Sequence, residues 1–185
     1  MATVREGHRS VLLVVDVQVG VMRQAWSAGP VIEKVVQAVE RARRHGTPVI
    51  WVQHDDEEMP RDGDAWQLVF ALQPAPGEAR FYKQYNSAFE GTALEDELAR
   101  LGATHVVLAG AATNACIRAT AYAALDRGYD LTLVADAHAT HDIDKGNGER
   151  IAAADIVEEL NIAMRWVRYP GRSNRAVPAA DVEFG

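Results

Sequence analysis

The chain has 185 residues, 19 Lys and Arg against 26 Asp and Glu, a formal net charge of −7, and 48% apolar and 24% charged residues. That composition excludes a disordered polymer and disfavours nucleic acid or an anionic membrane as the main partner, and the length suits one domain over 1–185 with its own core. A single cysteine excludes an intrachain disulfide framework and a cysteine-based zinc site. No run approaches a membrane span of roughly 20 apolar residues and no apolar leader opens the chain, so a cytoplasmic location is expected.

Val11 to Val15 is an unbroken apolar run, the pattern of a strand covered on both faces. Val31, Ile32, Val35, Val36, Val39 and Ala42 then recur at helical spacing, with Pro30 in the first turn and Gly46-Thr47-Pro48 as the stop. Arg41, Arg43 and Arg44 read as a solvated cationic helix end. Val49 to Val52 is the second strand. From His54 to Gly77 the chain is irregular, with a helical piece expected from Trp66 to Leu72, and Ala79 to Tyr82 is a short strand. Thr92 to Leu101 reads as a helix opened by a Thr92/Glu95 capping box. Further strands are expected at His105–Ala109, Leu131–Ala135 and Met164–Val167, and helices at Asn114–Arg127 and Asn147–Leu160. The stretch from Pro170 to Gly185 has no period and reads as an irregular surface or subunit-contact extension. Alternation of this kind specifies an α/β protein with a mostly parallel sheet.

Open α/β sheets bind ligands at the carboxyl ends of their strands, chiefly where strand order reverses. The reactive side chains that follow strands are Asp16, His54 with Asp55 and Asp56, Lys83, Cys116, and Asp136 with His138. In a doubly wound sheet the first and fourth strands are neighbours, and Asp16 and Cys116 face one another. Singly, each has a plain reading: a buried apolar cysteine, a capping aspartate, a surface lysine. Together they make an acyl-transfer site. Cys116 falls in the first turn of a helix, where free N–H groups and the dipole favour a thiolate, and a Lys83 ammonium would lower its pKa further.

Val14-Val15-Asp16-Val17-Gln18, Lys83 followed by Ser87-Ala88-Phe89, and Gly110-Ala111-Ala112-Thr113-Asn114-Ala115-Cys116-Ile117 resemble the three signatures of the isochorismatase-like cysteine hydrolases. Gly91-Thr92-Ala93-Leu94, Gly128-Tyr129-Asp130 and Asp136-Ala137 extend the resemblance over about Val11 to Val167. It implies a three-layer α/β/α fold around a six-stranded parallel sheet and a catalytic set of Asp16, Lys83 and Cys116. It also implies a cis peptide bond at Ala111–Ala112 that aims the Ala112 N–H, with the Cys116 N–H, at one oxyanion. Gln18, His54, Trp66 and Ala115 are the expected substrate contacts. The expected partners are a small-molecule substrate and further copies of the chain, as a homodimer or larger.

The chain departs from relatives in informative places. Isochorismatases proper cleave a vinyl ether and commonly carry glycine where this chain has Cys116, so the cysteine points to an amide, imide or lactam. Nicotinamidases hold a metal through an Asp-x-His pair after the second strand; here the triplet is Val52-Gln53-His54, and no metal or cofactor is expected. His138, His141 and Asp142 read as hydrogen-bonded packing before they read as ligands. Trp26 and Trp66 fit a pocket wall, the core or a subunit interface equally well. The competing functions are vinyl-ether hydrolysis and a catalytically idle binding or scaffold subunit.

Overall fold

The computed structural model describes residues 2–184. It runs β1 (Arg9–Val15), a one-turn α1 (Val19–Met22), α2 (Ala28–Arg44), β2 (Val49–His54), β3 (Ala79–Lys83), α3 (Leu94–Arg100), β4 (Ala103–Ala111), a π-helix (Thr113–Ile117), α4 (Arg118–Asp126) and β5 (Asp130–Ala139). A small hairpin, β6 (Ile143–Asp144) and β7 (Arg150–Ile151), precedes α5 (Ala153–Trp166), β8 (Asn174–Val177) and a 3-10 turn (Ala179–Asp181). Six strands form one sheet in the order β3-β2-β1-β4-β5-β8, with every neighbouring pair parallel.

Alternation along β1 sends Val11, Leu13 and Val15 to one face and Leu12 and Val14 to the other. The first face packs against Leu98 of α3, Leu125 of α4 and Leu160 of α5; the second packs against Val31, Val35 and Val39 of α2. The result is a three-layer α/β/α protein, each layer joined by apolar stripes at the periods the sequence displays.

Four expectations need correction. The helix assigned to Thr92–Leu101 begins at Leu94 and has no capping box, because Thr92 donates to Ala88 O (2.6 Å) and Glu95 accepts from Tyr129 Oη (2.7 Å). Trp66 to Leu72 forms turns, and Leu68 bridges antiparallel to Gln18. The helix placed at Asn147–Leu160 starts at Ala153 and runs on to Trp166, since Ile156, Leu160 and Met164 continue one apolar stripe through the stretch assigned to a strand. The sixth strand lies instead in the tail, at Asn174–Val177, followed by buried Ala179, Val182 and Phe184. An edge strand with the sequence Asn-Arg-Ala-Val has no apolar run to announce it. The cationic end of α2 is also more engaged than expected: Arg43 binds Glu78 through two hydrogen bonds of 2.8 and 2.9 Å, and Arg41 donates to Val182 O.

Candidate active site

Strand order reverses between β1 and β4, which opens a crevice beyond their carboxyl ends. Asp16 leaves β1 at φ 53°, a left-handed conformation uncommon outside glycine, and its N–H donates to Val52 O (2.8 Å). Gly110 makes the crossing possible. A Cβ at that position would lie 1.9 Å from Val15 O, so only glycine lets β4 pass β1 at this separation. Lys83 ends β3, two strands away from β1, a gap of roughly 10 Å at the usual strand spacing that suits a long lysine stem. Its Nζ donates to Asp16 Oδ2 at 2.6 Å and to Cys116 Sγ at 3.2 Å. Asp16 and Lys83 are 1% and 2% exposed, while Cys116, on the π-helix, is half-buried.

Burial raises the Asp16 carboxyl above its ordinary value, with Lys83 opposing. Burial also pushes the Cys116 thiol up to about 12; Asp16 adds to the shift and Lys83 opposes it. Desolvation thus works against the thiolate expected from the helix start and the ammonium. Asp16 Oδ1 is buried without a hydrogen-bond partner, and the Cys116 side chain is near enough to bear on the carboxyl proton. A carboxyl and a sulfur thus meet within hydrogen-bonding distance of one ammonium nitrogen.

The Ala111–Ala112 peptide bond is cis. Ala112 O accepts from the N–H groups of Ala115 and Ile117, both at 3.1 Å, whereas among the described residues the Ala112 N–H meets no acceptor. A cavity of about 210 Å³ has Ala111 and Ala112 in its wall, together with Gly20, Val21, Thr140 and His141.

The remaining candidates separate. Gln18 is fully buried and its amide is spent on backbone: Nε2 donates to His54 O and Trp66 O, both at 2.9 Å, and Oε1 accepts from His54 N at 2.9 Å. It is a clamp between two loops, with both amide protons and one lone pair taken by backbone. His54 stands beside Lys83 in the sheet register; its Nε2 pairs with Asp56 at 3.1 Å and its Nδ1 is buried without a partner. Trp66 is 6% exposed against Tyr82, and its indole Nε1 is likewise unpartnered, while Trp26 is half-exposed. Asp55 is bound by Arg61, and the N–H of Met59, with help from His54, holds Asp56 below the usual carboxylate range. Ala115 is half-buried. Asp136 accepts from Ala179 N (2.7 Å), and Asp142 accepts from Ala153 N at the start of α5. His138 is buried between Thr113 and Asn161, two residues that sequence spacing gave no reason to single out. Among the described residues, no three His, Cys, Asp or Glu side chains are placed to hold a metal ion. Among the described residues, no helix is long and apolar enough to cross a membrane.

The profile of the isochorismatase domain matches residues 10–159. A streptothricin hydrolase of Streptomyces noursei is 35% identical over 74% of this chain and 57% of its own length. A ureidoacrylate amidohydrolase of Methylobacterium radiotolerans is 31% identical over 69% of this chain and 61% of its own length. The chain thus spans little more than half of these relatives. The crystal structure of an isochorismatase from Pseudomonas putida superposes with a TM-score of 0.83 at 25% identity, covering 97% of this chain and 93% of that one. With its six-stranded parallel sheet and its profile match over most of the length, the chain belongs to the isochorismatase family.

Proposed function

We propose that the protein is a cysteine-dependent hydrolase that opens a small amide, imide or lactam C–N bond through a thioester on Cys116. The observation that carries this reading is the Lys83 ammonium, buried with Asp16 and set between Asp16 Oδ2 and Cys116 Sγ, at 2.6 and 3.2 Å. The hydrolase and amidohydrolase names of its relatives support the same bond class.

Asp16, ionised beside Lys83, takes the thiol proton. The sulfur then attacks the carbonyl carbon, and the C=O electrons move to an oxyanion facing the Ala112 and Cys116 N–H groups. Donors of that kind contribute roughly 3 kcal/mol each to the transition state. On collapse the C–N bond breaks and Asp16 returns its proton to the leaving nitrogen, which leaves the thioester. Asp16 next accepts a proton from water, the hydroxide adds to the thioester carbon, and the C–S bond breaks as Asp16 returns that proton to the sulfur. The products are a carboxylic acid and the free thiol. His54 Nδ1 and Trp66 Nε1, both buried and unpaired, are the side-chain groups proposed to meet the polar atoms of the substrate.

The test is a panel of primary amides, carbamoyl compounds, imides and lactams assayed for ammonia or acid release, with intact-mass measurement of quenched enzyme. An adduct on Cys116 that forms and decays with turnover supports the proposal. No turnover and no adduct on any member would leave only the fold, with the chain an idle binding subunit; turnover without an adduct would indicate thiol-independent hydrolysis.

A further inference from the structure

Cys116 hangs from a π-helix, a turn with an extra residue. A buried hydrogen-bond chain ties that turn to β5 and α5. Thr113, the first residue of the π-helix, is fully buried and its Oγ1 lies 3.0 Å from His138 Nδ1. His138 Nε2 lies 3.1 Å from Asn161 Oδ1, and Asn161 Nδ2 donates to Ala135 O at 3.0 Å. The direction of every bond follows from its far end. A backbone carbonyl only accepts, so Asn161 presents Nδ2 to it and Oδ1 to the ring; Nε2 then carries the imidazole proton, and Nδ1 accepts from the Thr113 hydroxyl. Burial pushes His138 down to about 4, in keeping with a neutral ring.

The sheet is bent to make this chain. Leu108 of β4 pairs with Leu133 of β5, yet Gly110 pairs with His138, so three extra residues bulge from β5 between those rungs and deliver the imidazole to Thr113. Apolar side chains would fill the same space without desolvating five side-chain polar atoms, but they would not fix an angle.

We infer that His138, with Thr113 and Asn161, is a positioning residue that holds the π-helix at the rotation which brings Cys116 to Lys83 and Asp16. The inference rests on the reading of Cys116 as the nucleophile. A displacement of about 1 Å at a reacting atom is enough to cost about 100-fold in rate.

The test compares Thr113→Val, which keeps the shape and removes the donor, with Thr113→Ser, which keeps the donor, and His138→Leu with His138→Gln. On the best substrate of the panel, Thr113→Val and His138→Leu are expected to lower kcat 10- to 100-fold with KM within twofold. Thr113→Ser and His138→Gln should recover most of that loss. Cys116 is the one cysteine of the chain, so its rate of carboxamidomethylation, followed by intact mass, reads the same displacement without a substrate. Alkylation should shift at least threefold in Thr113→Val and return in Thr113→Ser. Wild-type kcat and alkylation in Thr113→Val would overturn the inference, as would equal damage from Val and Ser. If His138→Leu does not fold, the threonine pair decides alone. If wild type turns over nothing, the hydrolase reading has failed and the alkylation pair still decides the positioning role.

Discussion

Two sets of polar side chains cross the same sheet, one at each end of its strands. At the amino end, Ser10 of β1, His105 of β4, Thr132 of β5 and Arg175 of β8 form a ladder. Ser10 Oγ meets His105 Nδ1 at 2.9 Å, His105 Nε2 meets Thr132 Oγ1 at 2.8 Å, and Arg175 Nε donates to Thr132 Oγ1 at 3.0 Å. At the carboxyl end, Asp16 and Lys83 are as deeply placed and Cys116 is half-buried, but Asp16 Oδ1 has no partner. The larger hollow, about 310 Å³ beside His8, His105 and Arg175, belongs to the paired end. Under the proposed function, cavity size does not mark the chemistry. What sets the carboxyl end apart is a buried ionisable group with an unused lone pair, whose desolvation is left partly uncompensated.

The sharpest way to test that division is to remove the sulfur. Cys116→Ala is expected to lower hydrolysis by roughly 10⁴-fold or more and to abolish the acyl adduct, while stability in a denaturant titration moves by about 1 kcal/mol or less. The next largest effect concerns the ion pair. Lys83→Met leaves a buried carboxylate alone and should cost about 3–5 kcal/mol at pH 7. Adding Asp16→Asn should restore at least half of that stability and none of the activity; asparagine is the substitute because it tolerates the left-handed backbone at this position. A double variant no more stable than Lys83→Met would mean that packing, not charge, dominates the carboxyl end.

Acidity separates the two ends further. In the proposed mechanism Asp16 is ionised when it accepts the thiol proton, and burial raises its pKa, so kcat/KM should fall on an acid limb placed above the ordinary carboxylate value of about 3.9. Its effect on stability has the matching sign. The folded state binds this proton more tightly than the unfolded chain, so the contribution is whole below the ordinary carboxylate pKa and is lost as pH rises through the folded one. Limbs of kcat/KM at several pH values, for wild type and for a variant such as His54→Gln, locate it.

Legibility in the sequence followed the same physics. Val11–Val15, Val49–Val52 and His105–Ala109 were readable because a strand buried on both faces is apolar throughout, and the strand-end rule then placed Asp16, Lys83 and Cys116 in one crevice. The strand at Asn174–Val177 was not readable: at a sheet edge it keeps polar residues, and only Ala176 among its four is buried. The π-helix and the bulge in β5 left no periodic trace either, since both break the local rule on which spacing arguments depend. Hence the pairing of Thr113 and Asn161 with His138 was invisible, as was the use of the Gln18 amide by loops whose approach no spacing foretells.

The smallest expected effect tests the amino end. His105→Leu leaves the Ser10 and Thr132 hydroxyls short of a partner and should cost about 1–3 kcal/mol at pH 7 by denaturant titration, with kcat/KM unchanged within twofold. Burial, with Arg175 adding to it, pushes His105 down to about 4, so the folded state binds fewer protons than the unfolded chain between there and about 6.5. Wild-type stability should consequently fall as pH drops through that window, opposite in sign to the Asp16 contribution, and the variant should lose part of the slope. A tenfold drop in kcat/KM for His105→Leu would show that the two ends are coupled through the sheet. Full pairing would then no longer identify a set of buried polar groups as purely structural.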